Sequence, residues 1–138
     1  MSISLAVRQA RLDSIRMAIN SGGGGAVHLY ALPEVATPET AAADSPLAIV
    51  ALAVDCATVG ASTDLATLTL TPVVGNAAVS GLVAWARFVN GAGLAVMDMP
   101  AGPPGSGKPV IVTDSKATPS ALVYSGGEVQ IASGLWTE

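Results

Sequence analysis

Val79-Ser80-Gly81-Leu82-Val83-Ala84-Trp85-Ala86-Arg87-Phe88-Val89, followed by Asn90-Gly91-Ala92-Gly93 and then Leu94-Ala95-Val96-Met97-Asp98, is the stretch that decides the fold class. Two period-two runs flank a turn rich in residues that accept positive φ, which is the pattern of a β-hairpin. Val83, Trp85, Arg87 and Val89 fall on one face of the first strand, and Leu82, Ala84, Ala86 and Phe88 on the other. The same period recurs on both sides of the hairpin. Residues 27–32 form a run closed by Pro33, residues 47–54 an apolar run closed by Asp55, and residues 65–71 alternate leucine with threonine up to Pro72. Residues 110–113, 121–124 and 128–132 follow, the last two joined by Ser125-Gly126-Gly127 as a second hairpin. Seven or eight short strands are predicted. Residues 34–46, with Pro38, Pro46 and Ala41-Ala42-Ala43, and residues 101–109, with Pro103, Pro104, Gly105 and Gly107, read as exposed excursions.

One helix precedes the strands. Leu5, Leu12, Ile15 and Ile19 form a single stripe within residues 2–20, Ser2 or Ser4 is placed to cap the start, and Asn20-Ser21 with Gly22 to Gly25 stops it. A helix and then a train of strands without interleaved helices predicts a mainly β fold. Its form is an antiparallel β-sandwich or jelly roll over residues 22–138, preceded by an amphipathic helical arm over residues 1–21. Arg8 projects onto the apolar stripe and Arg16 lies at its edge. Either their stems pack while their heads stay in water, or the helix is an interface element whose guanidinium groups meet acids of a neighbouring chain.

Composition narrows the function. Of the 138 residues 51% are hydrophobic, but 25 are alanine and 15 glycine, and only 12% are charged, against about 25% in an average soluble domain. A monomer of this mass exposes roughly 6,600 Å², so charges stand about one per 400 Å² and much of the surface is expected to be covered by partners. The uncharged run 65–86 is broken by Pro72, Gly75 and Gly81 and is not a membrane span. Arg8, Arg11, Asp13 and Arg16 occupy the place of a secretory signal's apolar region, so synthesis is expected in the cytoplasm. Net charge is −4, with the three arginines of residues 1–20 standing against one aspartate. Six bases in all are too few for a phosphate footprint of roughly six to ten contacts, so nucleic acid is not an expected partner.

No motif supports catalysis. Gly102-Pro103-Pro104-Gly105-Ser106-Gly107-Lys108 mimics a phosphate-binding loop, but Pro109 replaces the metal-binding hydroxyl and the prolines remove backbone donors. The β-branched run that follows is a strand where a helix N-terminus is required. His28 is the single histidine and Cys56 the single cysteine, so neither a triad nor a multi-cysteine metal site is expected. Asp44, Asp55, Asp64, Asp98 and Asp114 fall near expected strand ends or turns, where aspartate bonds backbone N–H groups; a calcium site stays open among them. Trp85 and Trp136 are expected to fill the sandwich core, with Leu135-Trp136 also readable as a terminal anchor onto this domain or a neighbour.

The order of segments carries a resemblance. Arg8-Gln9-Ala10-Arg11-Leu12-Asp13-Ser14-Ile15, a glycine run, His28-Leu29-Tyr30-Ala31, Ala84-Trp85-Ala86-Arg87-Phe88-Val89, a glycine turn and Ala95-Val96-Met97-Asp98 together resemble the capsid cement, or decoration, proteins of tailed bacteriophages. The resemblance implies a non-enzymatic virion protein without catalytic residues, cofactor or metal. It implies a jelly roll or related β-sandwich that assembles as a homodimer on the outer capsid surface and bridges subunits of the major capsid protein. Arg8, Arg11, Arg16, Leu135 and Trp136 are the candidate contact residues. A tail or baseplate-associated β-sandwich is the alternative, and a carbohydrate-binding module a more distant one, since it needs an exposed aromatic platform.

Overall fold

A computed structural model of the chain describes residues 2–114 and 120–138, with the side chain of Asp114 outside the described set. The element order is α1 (Leu5–Asn20), β1 (Ala26–Tyr30), β2 (Ala48–Ala51), β3 (Ala57–Ser62), β4 (Leu65–Leu70), β5 (Val73–Asn76), β6 (Gly81–Leu82), β7 (Trp85–Val89), β8 (Ala95–Gly102), β9 (Val110–Asp114), β10 (Leu122–Val123) and β11 (Glu128–Thr137). The fold is mainly β, as the period-two runs predict.

The deciding hairpin forms. Trp85 faces Pro100 and Arg87 faces Asp98 across β7 and β8, with one irregularity near Val89. Asn90 Oδ1 accepts the N–H groups of Ala92 and Leu94, each at 3.0 Å, and Gly93 supplies the positive φ of +82°. From this hairpin the main sheet grows in the order β2-β1-β7-β8-β9-β11-β4-β3, with β5 also on β11. All its ladders are antiparallel except a short parallel contact of Ala101 and Gly102 with Val110 and Ile111. The sheet is curled: β2 comes round to the start of the next connection through an Ala48–Ala77 bridge, and Gly75 of β5 lies against Val50. The other end, β3, pairs only with β4 among the described residues. The observed architecture is therefore a curled open sheet.

Two strands escape the sequence pattern for physical reasons. β3 contains Gly60 and small residues rather than alternating large ones, and β5 follows a proline. Pro72 ends the preceding strand as expected, but an unexpected strand, β5, starts directly after it. Leu70 faces Gly134 and Val73 faces Ile131 in a common register, so Thr71 and Pro72 stand opposite Ser133 and Ala132. Thr71 turns its N–H to the Cys56 carbonyl instead (2.8 Å). On its other side β11 carries a bulge against β9 between Ile131 and Ser133. That bulge shifts the buried phase from Val129 and Ile131 to Gly134 and Trp136. The expected strand 79–89 divides into β6 and β7. The expected terminal hairpin is also corrected: β10 pairs with β6, Leu122 facing Leu82, because Ser125 N–H and Gly126 N–H are held by Ser80 Oγ and the Ala77 carbonyl, each at 2.8 Å. The 101–109 excursion begins later than expected, since Ala101 is buried within β8.

α1 starts at Ser4, whose Oγ accepts the Val7 N–H. Leu12 and Ile19 are buried in the same apolar cluster as Val27, Leu29, Leu68, Phe88 and Trp136, and Leu5 and Ile15 pack against it. The glycines after the helix are a packed junction. A Cβ on Gly25 would stand 2.2 Å from the Val89 carbonyl oxygen and 2.8 Å from that of Ile19, whereas one on Gly23 (φ +95°) meets nothing. Gly25→Ala is expected to lower unfolding free energy by at least about 3 kcal/mol, and Gly23→Ala by about 1 kcal/mol from backbone strain alone. Urea unfolding of the two variants measures the difference, and equal effects would show the junction to be loose.

Candidate functional site

The five candidate contact residues lie in two groups. The arginines of α1 all meet acceptors of their own chain. Arg8 Nη1 donates to the Glu138 carbonyl (3.0 Å), Arg11 pairs with the Glu138 carboxylate, and Arg16 bridges Asp13 (2.8 Å) and Asp55 (3.1 Å). Trp136 is 7% exposed and meets Phe88 edge to face, with ring centroids 5.1 Å apart; it anchors β11 to this domain's own core. Leu135, the next residue along, points outward and is 47% exposed. Among the described residues the buried Arg8 Nε and Trp136 Nε1 have no hydrogen-bond partner.

A second constellation occupies the opposite face of β7. Phe88 and Ala86 face the apolar cluster, so Trp85 and Arg87 face away from it, yet both are buried. Trp85 is buried as expected, but outside the main cluster: it is covered on the far face by the 31–46 connection. Trp85 Nε1 donates to the Ala31 carbonyl (3.0 Å), its ring stacks on Tyr30 at 4.4 Å, and the Arg87 guanidinium lies 5.4 Å from the ring centroid. Arg87 grips Asp98 with two bonds, Nε to Oδ1 at 2.8 Å and Nη2 to Oδ2 at 2.9 Å. Nη2 also reaches the Thr37 carbonyl (3.3 Å). These groups spend their polar atoms on one another and on the covering connection, so the arrangement is a clasp.

Asp98 was expected at a strand end; it sits within β8 and its partner is a side chain. The hairpin itself held the signal, because a turn at residues 90–94 brings Arg87 and Asp98 to facing positions. Asp55, with φ +62°, and Asp64, between β3 and β4, are in turns as expected. The side chain of Asp114 lies outside the described residues.

His28 lies beside this clasp, its Nδ1 3.5 Å from the Tyr30 hydroxyl. Burial, and then the Arg87 charge, hold its pKa below the ordinary 6.5. The unfolded chain therefore binds the proton more readily, and the stability His28 contributes is full above pH 6.5 and is lost as pH falls from there through its folded value. The urea midpoint is expected to drop more between pH 7.5 and pH 5.5, about one unit either side of an ordinary histidine, in the native protein than in His28→Asn. Equal drops would show that carboxylates alone set the slope. Cys56 is buried at the helix junction, with its thiol pushed up by burial and directed to Asn20 Oδ1 (3.6 Å).

Beyond the clasp, a cleft of about 420 Å³ runs between the 31–46 connection, β6 and the 103–109 loop, with Leu32, Leu82 and Pro100 on its apolar walls and Glu34 and Lys108 at its rim. In that loop the Pro103 carbonyl accepts the Ser106 N–H, and Ser106 Oγ accepts the Lys108 N–H. Strand β9, not a helix, follows it. Among the described residues no three His, Cys, Asp or Glu side chains gather to hold a metal, and no helix is long and apolar enough to cross a membrane. Of the aromatics, Tyr30, Trp85, Phe88 and Trp136 are buried and Tyr124 is exposed. No protein-family model, curated protein or solved structure matches the chain.

Proposed function

We propose that this chain is a non-enzymatic virion structural protein, a capsid cement protein that binds the outer surface of a bacteriophage shell and ties neighbouring major capsid protein subunits together. The curled sheet is then a variant of the jelly roll or β-sandwich expected of that group. The observation that carries the reading is how the surface is made. The 6968 Å² of accessible area carries only six bases and ten acids, and Arg8, Arg11, Arg16 and Arg87 are engaged within the chain. Large apolar side chains stand out instead: Met17, Leu32, Val54, Leu82, Leu94 and Tyr124 are each more than half exposed. A surface with few free charges and scattered apolar knobs suits many weak contacts repeated on a lattice, where a shell holding its subunits in register raises the effective concentration of every next contact.

Among the contact candidates, Leu135 is the one still available to a partner, because Trp136 and the arginines are used internally. The exposed aromatic platform that a sugar-binding module needs is missing from the four buried rings. Electron microscopy of phage particles assembled with and without the labelled protein tests the reading. Density on the outer shell, and earlier rupture of particles lacking it on heating, are expected. Label confined to the tail would move the protein to the tail or baseplate alternative, and no particle-associated label would end the virion reading.

A further inference from the structure

The main sheet ends at β3, and among the described residues this edge is unguarded. One end of the sheet is met by the β5 region through the Ala48–Ala77 bridge, while the other ends at β3. Free edges in natural sheets are blunted by charge, proline or bulges. β3, Ala57-Thr58-Val59-Gly60-Ala61-Ser62, has neither charge nor proline, and it pairs with β4 without a register shift from Ala57–Leu70 to Ser62–Leu65. Because the Cys56 carbonyl accepts the Thr71 N–H, the β3–β4 ladder bonds fall on Thr58, Gly60 and Ser62. The N–H and C=O groups of Val59 and Ala61 therefore point out of the sheet. Ala57 is buried, so the usable edge is residues 58–62.

We infer that this edge pairs with the same edge of a second copy, antiparallel about a two-fold axis at Gly60, making one sheet continuous through two chains. The segment is self-complementary in that register. Val59 and Ala61 exchange backbone bonds with Ala61 and Val59 of the other copy, Thr58 stands opposite Ser62, and Gly60 faces itself at the close, non-hydrogen-bonded spacing. The helix follows the strand, Gln9 Nε2 reaching the Gly60 carbonyl (3.1 Å) and Arg16 reaching Asp55. Strands ~4.8 Å apart thus bring the two α1 helices to about the 8–10 Å at which helices pack. Ala6, Gln9 and Asp13 form the row beside the axis. Antiparallel pairing sets Asp13, already bound to Arg16, opposite the small Ala6 rather than its own copy. A five-residue strand pair alone falls short of the roughly 1,200 Å² that a specific interface buries, so the pairing requires the helix flanks to contribute.

The pairing rests on the sheet edge and not on the capsid reading, and its test needs no particle. Sedimentation of the full chain at micromolar concentration is expected to give a dimer of 13.6 kDa chains. Gly60→Cys tests the register, since a Cβ there meets only Thr67 Oγ1 at 3.4 Å. It is expected to form an intermolecular disulfide under mild oxidation, whereas Ser62→Cys, set opposite Thr58, is not. Ala61→Pro removes an outward N–H and is expected to halve the sedimenting mass with the circular dichroism spectrum retained; if that variant fails to fold, the cysteine pair still decides. A monomeric native chain, or disulfides forming equally at residues 60 and 62, would overturn the inference.

Discussion

Deletion of residues 1–20 is expected to leave a chain with no cooperative unfolding transition. Charge and the glycine run make the helix look separable, and a separable arm could be removed without harm to the strands. The packing opposes this. Leu12 is 3% and Ile19 1% exposed, inside the cluster that also holds Leu68, Phe88 and Trp136. Burying two such side chains contributes about 1.5–3 kcal/mol each, before the cavity that their loss would open. Leu5 and Ile15 add partial burial, and the arginine contacts to Glu138 are lost as well. The total approaches the whole stability of a domain, roughly 5–15 kcal/mol. Ile19→Ala is the graded form, expected to cost about 3–4 kcal/mol in urea unfolding. A deleted chain that keeps a sharp transition and its near-ultraviolet circular dichroism would show the helix to be an arm after all.

The same residues show what was legible in advance and what was not. The deciding hairpin, the face assignment of residues 85–88, the alternation of residues 65–70 and the Ser4 cap could all be read, because each depends on neighbours within a few positions; at residues 82–83 the break between β6 and β7 reverses the assignment, leaving Leu82 exposed and Val83 in the cluster with Phe88. The strand end before Pro72 was legible, but β5 beyond it was not, because a proline's missing N–H gives the same local signal whether the chain leaves the sheet or returns to it in register; β11 opposite it decides, and that is a long-range property. Trp136 follows the same logic. It reaches the core only because the bulge before Ser133 shifts the phase of β11, and a bulge in a run of small residues leaves little trace in hydropathy. Trp85 was placed on the correct face of β7, but that the 31–46 connection covers this face depends on tertiary contacts of its backbone carbonyls at Ala31 and Thr37. Among the contact candidates, sequence could mark the arginines but not their acceptors, since Glu138 meets Arg8 and Arg11 only once β11 lies along β4.

Asp98→Ala is expected to destabilise the fold by about 3–5 kcal/mol, the cost of leaving a buried charge without its partner. Both side chains of the Arg87–Asp98 pair are 8% exposed, so water cannot replace the lost carboxylate, and Arg87 is left with the Thr37 carbonyl and the Trp85 ring. The exposed pair supplies the contrast. Asp55 is 78% exposed opposite Arg16, and Asp55→Asn, which keeps a side chain that tolerates positive φ, is expected to cost less than about 1 kcal/mol. If burial is the cause, removing both charges together should restore most of the loss, and Arg87→Met with Asp98→Leu is expected to unfold within about 1–2 kcal/mol of the native protein. That double variant separates stability from the clasp's second effect. Without a guanidinium the Thr37 carbonyl keeps only the Thr40 N–H of its own connection (3.0 Å) among the described residues and loses its bond to the sheet, so residues 31–46 are expected to become sensitive to limited proteolysis even where the urea midpoint has recovered. Resistance equal to the native chain would assign the hold on that connection to the Trp85–Ala31 hydrogen bond and the stacked Tyr30 ring instead of the ion pair.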